Sequence, residues 1–175
     1  MQRTLVMTLL GPDRPGIVEQ LARLIRQHGG NWLESRMARL GGQFAGLLRV
    51  QVAAETEPAL RAALAALADQ GLRVVVHADS PPAPAPGPAE LRQLEIIGHD
   101  RPGIVQEITG ALARHGGNVE ELETECVSAA MSGETLFKAR ARVRVPATTN
   151  LAALKAELEK IAADLIVEVA LLKLA

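Results

Sequence analysis

The octapeptide GPDRPGIV at Gly11 to Val18 returns as GHDRPGIV at Gly98 to Val105. The same offset of 87 positions lays the HGGN of His28 to Asn31 on the HGGN of His115 to Asn118. Seven of eight residues agree in the first block and four of four in the second, and two matches in one register mean a duplicated unit. Whatever fold the chain adopts therefore has to work twice. The helical residues between the blocks change identity but keep their apolar spacing, so the similarity is concentrated in loops, where function gathers.

Between the copies lies DSPPAPAPGPAE, residues 79–90. Its recurrent prolines deny both helix and sheet pairing, which predicts a semi-rigid polyproline-type spacer reaching roughly 3 Å per residue. The reading is a first domain at 1–78, a Pro-rich linker at 79–90 and a second domain at 91–175.

Each copy carries the same series of elements. Thr4 to Leu10 reads as a strand, and Pro15 to His28 as a helix with Ile17, Leu21, Leu24 and Ile25 on its buried stripe. Asn31 to Arg39 and Phe44 to Val52 form a hairpin about LGGQ, whose glycines supply the positive φ that tight turns need. Thr56 caps a second helix with Pro58 in its first turn and Leu60, Leu64 and Leu67 inward. Leu72 to His77 closes the unit as a strand. The second copy repeats this at Leu94 to Ile97, Pro102 to His115, Asn118 to Val127, Thr135 to Val145, Leu151 to Ala163 and Leu165 to Leu174. The order βαββαβ with right-handed crossovers predicts an α+β chain of two ferredoxin-like domains, each a four-stranded antiparallel sheet with two helices on one face.

Charge refines the second hairpin. Glu121, Glu123 and Glu125 share one face of their strand, and Lys138, Arg140, Arg142 and Arg144 one face of the next. Pairing Glu125 with Lys138, Glu123 with Arg140 and Glu121 with Arg142 makes a solvated cross-strand ladder, and turns Leu122, Cys126, Phe137 and Ala141 toward the helices. A net charge of −1 leaves no global field for phosphate backbones, and with only Trp32, Phe44 and Phe137 aromatic there is no base-stacking platform. Direct nucleic-acid binding is therefore not expected. Charge interrupts every apolar run, no secretion signal is seen and Cys126 is the single cysteine, so a cytoplasmic location is expected, with no membrane association. The four histidines show neither metal-ligand spacing nor a nucleophile pattern. The expectation is a protein that is not an enzyme, with no metal and no cofactor.

The repeated turn carries the chemistry. The chain leaves a strand at Gly11, turns through Asp13 and Arg14, and starts a helix with Gly16 leaving the amides of Gly16, Ile17 and Val18 open to approach. Those amides and the helix dipole suit a carboxylate. Asp13 or Asp100 acting merely as a cap is the plainer reading, but a cap needs no arginine, and both copies retain one. In HGGN, the first glycine fits the left-handed residue after a helix and the histidine suits its negative end. Asn31 and Asn118 bring an amide that donates and accepts.

Taken together, βαββαβ, DRPGIV after the first strand and HGGN before the second resemble the ACT domain, a small regulatory module that binds amino acids. The free-standing tandem resembles the glycine cleavage system transcriptional repressor family. The resemblance implies a ligand held between domains by Asp13, Arg14, Gly16, Ile17, Val18 and Asn31, and by Asp100, Arg101, Gly103, Ile104, Val105 and Asn118. It also implies that serine-responsive members carry asparagine where this chain has Asp13 and Asp100; an ionised aspartate better suits an ammonium group. The expected partners are an amino acid such as glycine or serine and a transcription factor or enzyme that reads the bound state. A homodimer through sheet edges or helices is a further arrangement open to the fold, and a ligand-free adaptor regulating a metabolic enzyme is the alternative function.

Overall fold

Alternating burial defines the strands. In β1 (Gln2–Pro12) Leu5, Met7 and Leu9 are buried while Thr8 and Leu10 face out, and in β3 (Gln43–Ala53) Leu48, Val50 and Val52 are buried while Leu47 and Arg49 face out. The computed structural model describes residues 1–79, 87–128 and 134–173. The chain divides into two compact units, Met1–Pro82 and Ala83–Ala175. The first continues through α1 (Ile17–Gln27), β2 (Asn31–Leu40), β3, α2 (Glu57–Ala65) with a 3-10 turn at Ala66–Gln70, and β4 (Arg73–Ala78). The second runs β5 (Ala89–His99), α3 (Ile104–Arg114), β6 (Asn118–Ser128), β7 (Thr135–Pro146), α4 (Leu151–Leu165) and β8 (Val167–Lys173).

Both sheets are antiparallel, with strand orders β2-β3-β1-β4 and β6-β7-β5-β8. This is the ferredoxin-like arrangement, formed twice. Each unit has its own core on the helix side of its sheet. In the first, Ile17, Leu21 and Ile25 of α1 and Leu60 and Leu64 of α2 meet the inward residues of β1 and β3. In the second, Ile104, Ile108, Leu112, Leu154 and Leu158 cover Leu94, Ile96, Val143 and Val145. Each fully buried Leu or Ile of this kind contributes about 1.5–3 kcal/mol.

Several boundaries differ from the sequence reading. Strand β5 already begins at Ala89, so residues 89–90 belong to the sheet rather than the linker, while residues 80–86, with the expected polyproline geometry, lie outside the described residues. Helices α1 and α3 start at Ile17 and Ile104, two residues after Pro15 and Pro102, because Gly16 and Gly103 stand at φ 88° and 99°, outside helical space. Thr56 occupies the cap position of α2 but its hydroxyl donates to Ala53 O at 3.2 Å and caps nothing. Cys126 shares its face of β6 with Leu122 yet both are exposed, since β6 is an edge strand that the helices do not cover.

The hairpin glycines Gly41 and Gly42 stand at φ 57° and 77°, as a two-residue type I′ turn requires. At the other end, Gly98 has no room for a side chain: a Cβ there would lie 2.6 Å from Val167 Cα and 2.7 Å from Ile166 O. Gly11 meets Gly71 O in the same way. The first glycine of each octapeptide is therefore set by close backbone approach. Ile166 itself stands at φ 57°, left-handed and β-branched, where the first unit has Gly71 at φ 80°.

Candidate functional site

Each repeated turn is held at both ends by the backbone. Asp13 N donates to Gly42 O at 2.9 Å, on the β2–β3 hairpin, and Asp100 N donates to Thr135 O at 3.1 Å, at the start of β7. Gly16 and Gly103 then serve as N-caps without any side-chain cap hydrogen bond. The first helical bonds are Gln20 N to Gly16 O and Glu107 N to Gly103 O, both 2.9 Å, so the preceding amides have no helical acceptor. Nothing lies within 4 Å of where a Cβ of either glycine would stand. The aspartates do not seal their own helices. Asp13 instead forms an ion pair with Arg39, whose Nε lies 2.8 Å from its Oδ2.

The other expected site residues divide by location. Ile17 and Ile104 are buried in their cores, whereas Val18 and Val105 are exposed. Asn31 pairs with Gln51, which pairs with Thr4, whereas the turn follows Pro12. Eight strand residues separate those rows, about 27 Å at 3.3–3.4 Å per residue. Asn118 is related to the second turn in the same way through Arg144 and Leu91. Neither asparagine is brought to the turn of its own unit.

The two turns also differ in their tethers. Arg14 donates to Gln20 Oε1 at 2.7 Å, and Gln20 donates to Gln70 Oε1 at 2.7 Å, tying the turn across α1 to the loop before β4. The equivalents of Gln20 and Gln70 are Glu107 and Leu165, and Cys126 stands where the first unit has Arg39. Asp100 and Arg101 accordingly have no side-chain partner among the described residues. This difference was readable only once the register placed Gln20, Gln70 and Arg39 beside the turn.

HGGN has a structural role. His28 and His115 are C-caps, Gly29 and Gly116 stand at φ 69° and 75°, and the amides of Gly30 and Gly117 return to Ile25 O and Leu112 O in a Schellman closure. His28 Nδ1 lies 2.9 Å from Leu24 O. His115 Nε2 lies 2.8 Å from Glu157 Oε2, and Arg114 Nε donates to Glu157 Oε1 at 2.9 Å, joining α3 to α4. Hydrogen bonds from Arg114, then from His115, hold the Glu157 carboxyl below the ordinary glutamate range against partial burial. In the first unit, Glu57 is held low chiefly by its hydrogen bond from Arg61, with Arg3 helping and burial opposing. Among the described residues, no group of three or more His, Cys, Asp and Glu side chains could hold a metal ion.

Models of the ACT domain match residues 3–77 and 92–163. The chain belongs to the ACT-domain family. It carries the domain in tandem, and over 160 residues it is 27% identical to the glycine cleavage system transcriptional repressor of Escherichia coli K12, covering 91% of this chain and 82% of that protein. A crystal structure of a protein of unknown function from Galdieria sulphuraria superposes with a TM-score of 0.84 at 30% identity, over 100% of both chains. Another, assigned provisionally to the glycine cleavage system transcriptional repressors, gives a TM-score of 0.67 at 25% identity, over 98% of this chain and 96% of that one. These likenesses support a regulatory role for the tandem ACT chain. No helix among its described residues is long and apolar enough to cross a membrane.

Proposed function

We propose that this chain is a non-catalytic regulator that binds a small amino acid at its DRPGIV turns, at interfaces between ACT domains, and modulates transcription in the cytoplasm through a partner protein. The observation that carries the reading is the uncapped helix start, retained in both copies with a left-handed glycine and open space beside it. The amides of Ile17 and Val18, or Ile104 and Val105, suit the ligand carboxylate, with Arg14 or Arg101 adding a charged donor. Asp13 or Asp100 suits the ammonium group. Asn31 and Asn118, distant from their own turns, would serve a turn of a neighbouring domain.

Calorimetry of the full chain against the twenty amino acids tests this. One or a few small amino acids should bind, and Arg101→Ala should weaken binding at least tenfold. Absence of both heat and thermal shift with all twenty would leave the adaptor that works without ligand. The relatives named for repression of the glycine cleavage system make glycine and serine the first ligands to try.

A further inference from the structure

The two repeated turns share a backbone but not their side-chain company. Asp13 and Arg14 are each engaged from a different flank of the first unit. Arg39, on edge strand β2, holds its Nε 2.8 Å from Asp13 Oδ2, next to the hairpin whose Gly42 O already accepts from the Asp13 amide. On the other flank Gln20 of α1 accepts from Arg14 and donates to Gln70, the last residue of the 3-10 turn, each at 2.7 Å. Both charges that the ligand reading assigns to the first turn are thus occupied from within the unit.

In the second unit every one of those partners is replaced. Cys126 is opposite Phe137 as Arg39 is opposite Phe44, and a thiol has neither the charge nor the reach of a guanidinium. Glu107 stands for Gln20 and Leu165 for Gln70. Leu165 offers no acceptor, and Arg101 makes no side-chain contact with Glu107 or with any other polar group among the described residues. The adjoining pair of His99 and Glu134, 3.6 Å apart, engages neither Asp100 nor Arg101.

We infer that the turn of the second unit is the chain's working amino-acid site and that the first turn is latched by Arg39 and Gln20. The inference rests on the ligand reading of the DRPGIV turns, and adds which of the two works and what holds the other closed. A guest gains only the difference between the contacts it forms and those it displaces. At the first turn its ammonium must take Asp13 from Arg39 and its carboxylate must take Arg14 from Gln20, whereas at the second nothing is displaced. Since the Arg39 side chain is 71% exposed, its ion pair is a modest one, and with the hydrogen bond to Arg14 the latch amounts to about tenfold in affinity.

Titration of the full chain with each of the twenty amino acids by calorimetry tests this, with hydrogen exchange at residues 17–19 and 104–106 locating each binding event and thermal melts verifying the fold. In the unaltered chain protection should rise at 104–106 before 17–19. Arg39→Ala with Gln20→Ala, both outside the octapeptide, should tighten the event at 17–19 by about tenfold and leave that at 104–106 unmoved. Transplanting the latch, by Cys126→Arg with Glu107→Gln, should weaken the event at 104–106 to a similar degree. Equal filling of the two turns in the unaltered chain, or a latch removed or installed without effect, would overturn the latch and leave the ligand reading standing. Absence of binding by every variant with all twenty would overturn both.

Discussion

Glycine occurs in the repeated octapeptide for two separable reasons, and substituting each position with alanine should tell them apart. At Gly103 there is open space but φ is 99°, so an L side chain costs about 1–2 kcal/mol in conformation. Alanine also restricts the unfolded chain, returning about 0.4–1 kcal/mol. The net loss for Gly103→Ala is then about 1 kcal/mol, or about 4–8 °C in the melting of a unit this size. At Gly98 the dihedral is unremarkable, but a Cβ would lie 2.6 Å from Val167 Cα, a backbone atom that cannot rotate away. Gly98→Ala should therefore cost about 3 kcal/mol, about 12 °C or more, as β8 is pushed from β5. Urea unfolding of the full chain with hydrogen exchange at Val167–Val169 reads both quantities: protection there should fall for Gly98→Ala and persist for Gly103→Ala. Gly103→Asn, tolerated in left-handed space, should recover part of the loss. Equal costs at the two positions, or a Gly103→Val variant as stable as the parent, would refute the separation of dihedral from space.

Other expectations follow from the packing. Ile166→Gly should raise stability by about 0.5–1 kcal/mol in thermal melts, since it relieves a left-handed β-branched residue whose side chain is 55% exposed. Glu57 and Glu157 both have lowered pKa, so their stabilisation is complete above the unfolded value near ~4.3 and is lost as pH falls below it through the folded values. Acid titration followed by circular dichroism should show Glu157→Gln losing less stability over that interval than the parent chain. Leu60→Ala should cost about 2–5 kcal/mol, with the loss of exchange protection confined to the first unit, whose core is separate.

Element order, hairpin turn and β6–β7 register were legible because they rest on local chemistry: the glycine pair at 41 and 42, the alternating Leu48, Val50 and Val52, and the glutamates opposite the cations. Helix starts were misread by two residues because proline is a permissive first-turn signal, whereas the left-handed φ that ends non-helical backbone is a tertiary outcome. Cys126 was placed inward by alternation, which assigns a face and not what covers it. In the candidate site, the turn itself could be read from its repetition. The tethers through Arg39 and Gln70 could not, since those residues lie far from it in sequence and meet it only through sheet register and helix packing, Gln70 by way of Gln20 on α1.

Those tethers make the duplicated loops unequal hosts. A zwitterion arriving at the first would have to compete with Arg39 for Asp13 and with Gln20 for Arg14, while at the second Asp100 and Arg101 stand uncommitted. If both loops take the same guest, the second should fill at lower concentration, and the gap between the two midpoints would measure what the internal bonds of the first are worth.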